Sequence, residues 1–380
     1  MTPLPADAVP EWIRSVEPYV PGRPVRELES ELGRRVLQLA SNENPLGPSP
    51  LAIEGARRAL AAGHRYTEGG DKYLRDALAS LHGVAFENVI LGAGSSELIG
   101  FAARMLLGPG GTGVTSASTF PLYPISIRIS GADLVEAPLR GYAIDLEEMA
   151  ARLPATSRLI FLANPNNPTG TMFTADEFDA FLARVPRNVL VVLDEAYAEY
   201  VGRGDYSRSI ELVRAGRNVL VLRTFSKIYG LAGLRIGYGI GDAGLLRELE
   251  KVRAPYNTSG AAEAAALAAL DDAEHVARSL ECNRAGQAQL AHGLDELGVN
   301  HVPSFANFVL VNLGRDAKPF AAELERRGVL VRPVGFMGLP NAIRVTVGTK
   351  EDNAKFLQEL GEIAGTTRAV DRASHSREGR

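Results

Sequence analysis

The sequence predicts an α/β protein, with a mostly parallel sheet wrapped by helices and a smaller α+β unit after it. Three observations carry that prediction. The runs "NVLVVLDEA" (188–196) and "NVLVLRTF" (218–225) are apolar almost throughout, as strands buried on both faces are. Strand-like and helix-like segments alternate from about residue 50 to residue 255. Beyond Pro255 the texture changes to an Ala-rich stretch and then to a mixed order of strands and helices.

Taken in order, the Pro-rich start to Gly22 reads as an extended arm. "PLAIEGARRALAA" (50–62) and "DKYLRDALASLH" (71–82) are helices; the second places Tyr73, Leu74, Ala77, Leu78 and Leu81 at helical spacing. "NVILG" is a strand and "SSELIGFAARML" a helix, while "DLVEAP" and "SRLIFLAN" are strands. "TADEFDAFLARV" is a helix with Thr174 as N-cap and Glu177 completing a capping box. The long, Ala-rich segment 260–297 reads as helical. After it "FANFVLVNL", "AAELERRGVLVRP", "AIRVTVGT" and "EDNAKFLQELGEIA" give strand, helix, strand, strand, helix. The expected organisation is an N-terminal arm and small-domain segment (1–45), a large α/β domain (46–255), a C-terminal α+β domain (256–365) and a disordered tail (366–380).

The 380 residues carry 41 basic and 45 acidic side chains, a formal net charge of -4. Nothing in that balance favours a nucleic-acid or membrane partner. The single cysteine, Cys282, excludes an intrachain disulfide and a Cys-based zinc site, and no metal is expected. The start lacks the features of a secretory signal, and no run of about 18 apolar residues suggests a membrane span. The expected location is the cytoplasm.

Charged and polar groups then recur where strands end. "ILGAGSSELIG" (90–100) runs from a strand through a Gly-rich turn into a helix, so the amides at Ser95 and Ser96 form a potential anion site. The same stretch reads equally as a tight turn with two serine caps. "ANPNNPTG" (163–170) is a rigid turn that would hold the Asn167 amide in one position. Asp194 closes a buried strand, where a carboxylate needs a cationic partner from the protein or from a ligand. Tyr197 is three residues further on. "TFSKIYGLAGLRIGYGI" (224–240) follows a third buried strand with Lys227 and Arg235. A desolvated lysine there has a lowered pKa and can form a Schiff base, and an arginine can fork onto phosphate oxygens. A carbonyl cofactor with a phosphate and a protonated ring nitrogen would use all of these groups.

"SNENPLGPSP", "GSSEL", "ANPNNPTG", "LDEAYAEY", "TFSKIYGLAGLRIGY" and "AIRVTVGT" occur in the order in which they resemble the fold-type I pyridoxal-phosphate aminotransferases, and within them the histidinol-phosphate branch. The resemblance spans about residues 19–364. It implies a large domain with a mostly parallel seven-stranded sheet, a smaller C-terminal domain, and pyridoxal 5′-phosphate as cofactor. It implies that Lys227 holds the cofactor as an internal aldimine and then shuttles the proton. Asp194 pairs with the ring nitrogen, and Asn167 and Tyr197 bond the ring oxygen. Ser95, Ser96, Thr224, Ser226 and Arg235 surround the phosphate. Phe120, in "STFPLY", stacks on the ring where relatives often have Tyr. Tyr66, in "HRYTEGG", reaches the phosphate of the neighbouring subunit, which implies a homodimer with shared active sites.

On the substrate side the resemblance assigns Arg344, in "AIRVTVGT", to a substrate carboxylate, and Arg332 to the substrate phosphate or the distal carboxylate of glutamate. Tyr19 and Asn307 line the pocket. Ser96 stands where many relatives have Asp, and Thr67 where Pro is usual; neither removes a catalytic group. The implied reaction is amino transfer between histidinol phosphate and 2-oxoglutarate in histidine biosynthesis. The alternatives are an aromatic amino-acid (phenylalanine or tyrosine) aminotransferase, and less readily a lyase or decarboxylase on the same scaffold.

Overall fold

The computed structural model describes residues 8–19, 22–67 and 71–378, with side chains as far as residue 364. Seven strands form the large sheet: β1 (Val89–Gly92), β2 (Thr112–Ser116), β3 (Asp133–Ala137), β4 (Ser157–Ala163), β5 (Leu190–Asp194), β6 (Val219–Thr224) and β7 (Gly237–Ile240). Their spatial order is β1-β7-β6-β5-β4-β2-β3. Neighbours are parallel except β7, which runs antiparallel to both β1 and β6. The predicted fold class, a mostly parallel seven-stranded α/β sheet, is therefore the observed one.

The apolar runs behave as a two-faced strand must. Successive residues of a strand point to opposite faces. Leu159, Phe161, Leu190, Val192, Leu220 and Leu222 enter one core. Ile160, Leu162, Val191, Leu193, Val219 and Val221 enter the other. The first core is closed by the helices Ser95–Leu106, Leu122–Ile129 and Ala243–Glu250. The second is closed by Pro50–Leu60, Lys72–His82 and Ala175–Leu182. The last of these starts with the predicted capping box: the Glu177 N–H donates to Thr174 Oγ1 (3.3 Å), and the Thr174 N–H donates to Glu177 Oε2 (2.7 Å).

A four-stranded antiparallel sheet follows: β8 (Asn300–Val302), β9 (Phe308–Asn312), β10 (Arg332–Pro333) and β11 (Ala342–Thr346), in the order β8-β9-β11-β10. Its own core gathers Val309, Val311, Ile343 and Val345 with Leu290, Leu324 and Phe356. The N-terminal segment joins this unit, since Leu37–Gln38 pairs in parallel with Val329–Leu330.

The Ala-rich stretch 260–297 is helical as two helices, Gly260–Leu270 and Ala273–Glu296. Asp271 closes the first and Asp272 caps the second, its Oδ1 accepting from the His275 N–H at 3.1 Å. Two features differ from the sequence reading. The first of these helices lies beyond the expected boundary at 255/256, yet Ala262, Ala265, Ala266 and Ala269 pack in the large-sheet core. Alanines let it approach the helix Pro50–Leu60 closely: a Cβ at Gly55 would sit 2.8 Å from the Ala264 carbonyl oxygen. The last helix, Lys350–Glu378, continues through 366–378, in the segment for which the sequence predicts disorder; the side chains beyond Ala364 and the last two residues lie outside the described residues.

The chain between Lys227 and Arg235 turns back through Gly230, whose φ is +71°. Its α-carbon faces Gly47, so an added Cβ would collide with the Gly47 carbonyl group. Gly230→Ala is expected to lower stability by about 1–3 kcal/mol. Urea unfolding measures this, and an unchanged midpoint would contradict the packing.

Candidate active site

A cleft of ≈ 280 Å³ opens at the C-terminal ends of the parallel strands, between the two sheets. Ligands of open α/β sheets bind at this end. Of the fifteen residues singled out from the sequence, thirteen line it: Tyr19, Ser95, Ser96, Phe120, Asn167, Asp194, Tyr197, Thr224, Ser226, Lys227, Arg235, Arg332 and Arg344.

At one end lies the turn after β1. Gly94, at φ +81°, precedes the helix Ser95–Leu106, and the Arg235 guanidinium lies where a Gly94 side chain would be. The first amides of a helix have no acceptor within it. The turn is fixed by Glu97, whose Oε2 accepts from the Ala93 N–H (2.8 Å) and from Asn257 Nδ2 (2.6 Å). Arg235, itself at φ +56°, donates through Nη1 to Ser226 Oγ (3.3 Å) and the Ala232 carbonyl (2.9 Å). Two serines at a helix start, a third serine and a guanidinium thus converge, which is the donor set a phosphate requires.

Asp194 ends β5 in the floor of the cleft and is buried. Tyr123 Oη donates to its Oδ2 (2.8 Å), and the Ala196 N–H donates to its Oδ1 (3.1 Å). Burial pushes this carboxyl up to about 6, against the two hydrogen bonds that favour the anion. The neighbouring acid faces the protein instead. Glu195 is fully buried and accepts from Arg223 Nε (2.9 Å), Ser207 Oγ (2.6 Å) and Ser209 Oγ (3.1 Å). The internal ion pair at this strand end is therefore made by Glu195, leaving Asp194 for the cleft.

Lys227 Nζ donates to the Ser41 carbonyl (3.4 Å) and lies 5.6 Å from the centre of the Tyr197 ring. Burial, and then the Arg344 charge, lower its pKa to about 8, so roughly a tenth of the amine is neutral at pH 7, far more than for an exposed lysine. Tyr197 is held edge-on to Phe308 (5.2 Å, 80°), and its oxygen accepts from Asn42 Nδ2 at 2.9 Å. Arg344 is buried on β11; Nη1 donates to Asn167 Oδ1 (2.6 Å) and Nη2 to the Ala40 carbonyl (2.6 Å). Directly opposite it in the strand register is Arg332, whose guanidinium lies 4.8 Å from the Phe336 ring and 5.8 Å from that of Tyr19.

Two expected residues lie elsewhere. Asn307 does not line the cleft: it is buried behind it, with Nδ2 donating to the Asn42 carbonyl at 3.0 Å. It immediately precedes β9, and its amide is turned toward that backbone. Tyr66 is outside the cleft of its own chain, exposed and stacked on Tyr256 at 4.3 Å. The sequence reading assigned no role to Asn42 or Tyr123, although both sit inside motifs it quoted, "SNENPLGPSP" and "STFPLY".

Fold and cleft together define an aminotransferase of fold type I. The groups present fit pyridoxal 5′-phosphate: a helix-start phosphate cradle, a partly neutral lysine, and a buried carboxylate that still needs a cation. The chain belongs to the family of class I and II aminotransferases, whose profile matches residues 34–360. Histidinol-phosphate aminotransferase 1 of Nitrosococcus oceani is 46% identical over 352 residues, 92% of this chain and 95% of that protein. The histidinol-phosphate aminotransferase of Moorella thermoacetica is 44% identical over 355 residues, 93% of this chain and 92% of that one. The crystal structure of the Sinorhizobium meliloti histidinol-phosphate aminotransferase in complex with pyridoxal-5′-phosphate superimposes with a TM-score of 0.86 at 30% identity, covering 94% of this chain and 97% of that one.

A carboxyl whose folded pKa is raised stabilises the fold only at low pH: the contribution is complete below the unfolded value and lost as pH rises through about 6. In cofactor-free protein, Asp194→Asn should therefore gain stability relative to the parent between pH 4 and pH 7. The gain should be on the order of 3 kcal/mol. Denaturant titrations at the two pH values test this, and a pH-independent difference would contradict the assignment.

Proposed function

We propose that this aminotransferase exchanges an amino group between histidinol phosphate and 2-oxoglutarate, with the cofactor held by the residues described above. The observation that carries the substrate reading is the pair Arg332 and Arg344. They stand opposite each other on adjacent strands of the small sheet, facing a cleft whose other wall carries Arg235. Like charges directly opposite on a sheet repel. A ligand with anionic groups beyond those of the cofactor relieves that repulsion, and the relatives named above support a phosphate as one of them. Tyr19 and Phe336 flank Arg332 with flat apolar surface suited to an imidazole ring.

When bound, pyridoxal 5′-phosphate supplies a cationic ring that accepts the electrons released as the substrate Cα–H bond breaks. Ser95, Ser96, Thr224, Ser226 and Arg235 would hold its phosphate and Phe120 would cover its ring. Asp194, oriented by Tyr123 and the Ala196 amide, keeps a proton on the ring nitrogen. Asn167 and Tyr197 hydrogen-bond the ring oxygen. Lys227 Nζ would hold the cofactor through its carbonyl carbon and, when free, would move the proton at the substrate α-carbon. Arg344 binds the carboxylate of the 2-oxo acid, and Arg332 the phosphate of one substrate or the distal carboxylate of the other.

The same reading includes a cytoplasmic homodimer in which Tyr66 of each chain completes the phosphate site of the other, and a division of the chain into an N-terminal arm, a large domain and a small domain, with the helix Gly260–Leu270 on the large-domain side. Among the described residues, no helix is long and apolar enough to cross a membrane.

Steady-state kinetics test the substrate. The ratio kcat/KM should favour histidinol phosphate over phenylalanine, and Arg332→Gln should erode that preference. A preference for phenylalanine would replace this reading with that of an aromatic amino-acid aminotransferase. Lys227→Ala should lower turnover by at least about 100-fold while leaving cofactor bound.

A further inference from the structure

Asn42 is buried at the cleft wall with φ +55°, a left-handed conformation that is uncommon for a residue other than glycine. Each of its polar groups is engaged. Its N–H donates to Thr346 Oγ1 (2.9 Å), its carbonyl accepts from Asn307 Nδ2 (3.0 Å), and its Nδ2 donates to Tyr197 Oη (2.9 Å). Thr346 Oγ1 lies 3.3 Å from Asn42 Oδ1 and donates to it.

These contacts fix the direction of every hydrogen. The Thr346 oxygen already accepts the Asn42 backbone N–H, so the hydroxyl hydrogen goes to Asn42 Oδ1. That identifies the other end of the amide, the one facing Tyr197, as the NH2 group. An amide NH2 can only donate, so the phenol oxygen is the acceptor in this bond. The phenol has one hydrogen, and it is not used here.

We propose that Asn42 is a positioning residue that sets the polarity of Tyr197: by donating to the phenol oxygen it leaves the phenol hydrogen directed to the cleft, for an oxygen on the cofactor ring. The inference rests on the reading in which Tyr197 faces that oxygen. Burial raises the pKa of the phenol above its ordinary value, so its hydrogen is retained at neutral pH. The charged and titratable groups around the phenol are Arg344 from β11, Asp194 from the end of β5, Tyr19 from the N-terminal segment and Lys227 beneath the ring. Only Asn42 donates a hydrogen bond to the phenol oxygen in the described structure. The tie also links the two sheets, because Thr346 and Asn307 belong to the small unit and Tyr197 to the large one.

The test uses the visible absorbance of the cofactor-loaded protein, titrated with pH in the absence of substrate. A donor to an oxyanion favours its deprotonated form. Asn42→Asp keeps the shape and tolerates the left-handed backbone, but offers an acceptor, so the phenol hydrogen turns away from the cofactor. The titration midpoint should rise by about one unit, roughly the worth of one hydrogen bond. Tyr197→Phe should raise it at least as far, and Asn42→Asp added to Tyr197→Phe should move it no further. Asn42→Gly, which adopts this backbone freely and lacks the amide, should shift the midpoint in the same direction and serves if the Asp variant does not fold. An unchanged midpoint in a folded, cofactor-loaded Asn42 variant would overturn the inference alone. So would an equal shift with and without the Tyr197 hydroxyl. Failure of the parent protein to take up pyridoxal 5′-phosphate would overturn the cofactor reading together with it.

Discussion

The cost of taking charge out of water organises this protein around its cleft. Asp194, Lys227 and Arg344 are all desolvated there, and burial moves each toward its neutral form: the carboxyl up, the amine and the guanidinium down. Unpaired buried charge is unfavourable unless a partner arrives. Within the chain the partners are incomplete. Asp194 has a phenol and an amide, Lys227 a carbonyl, and Arg344 a carbonyl and a neutral amide, with no counter-charge in hydrogen-bonding contact among the described residues. The partners that would complete them are a cationic ring for the carboxylate, a carbonyl group that takes up the neutral amine, and an anionic group for the guanidinium. The site is thus matched to its ligands by what its own residues leave uncompensated.

Holding such groups requires a scaffold that is stable without them. The large sheet supplies it through two cores of alternating residues from the same strands, and each fully buried Leu or Val contributes roughly 1.5–3 kcal/mol. Strand order then places the ends of β1, β4, β5 and β6 along one edge, so that side chains far apart in sequence share a cleft. The segment 39–44 closes it from the small-sheet side. Leu39 bonds the backbones of Leu330 and Thr346, the Ala40 carbonyl accepts from Arg344, the Ser41 carbonyl from Lys227, and Asn42 reaches Tyr197. A single short stretch therefore touches both sheets and three of the polar groups of the site.

Much of this was legible in the sequence because charge in an apolar run is conspicuous. Asp194, Lys227 and Arg344 all stand out in that way, and the β1 turn announces itself by Gly94 before two serines. What stayed hidden has a common cause: the side chain acts through another residue, not at an unusual place in a pattern. Tyr123 looks like any aromatic on a helix until its hydroxyl is found on Asp194. Asn42 is one asparagine in a loop of polar residues, and only three-dimensional pairing reveals its four contacts. The helix Gly260–Leu270 was assigned to the wrong neighbour because an Ala-rich segment is apolar all round and so carries no directional stripe.

Adjacent acids in "LDEAY" show how far sequence reasoning alone can resolve such a site. A buried carboxylate at a strand end admits two readings, an internal ion pair or a ligand contact, and both occur here, one residue apart. Glu195 is pinned by Arg223 and two serines, which makes it a structural anchor. Among the described residues Asp194 is pinned by neutral donors, which orient it without neutralising it. The period of two along the strand assigns the pair to opposite directions. Which direction leads to the cleft is then set by the partners: the cation of β6 lies at Arg223, beneath Glu195, while the crossing after β6 brings Lys227 to the side of Asp194. The division of labour between the two acids is a consequence of strand geometry, and the chemistry at the cleft follows from the acid whose bonded partners, among the described residues, are all neutral.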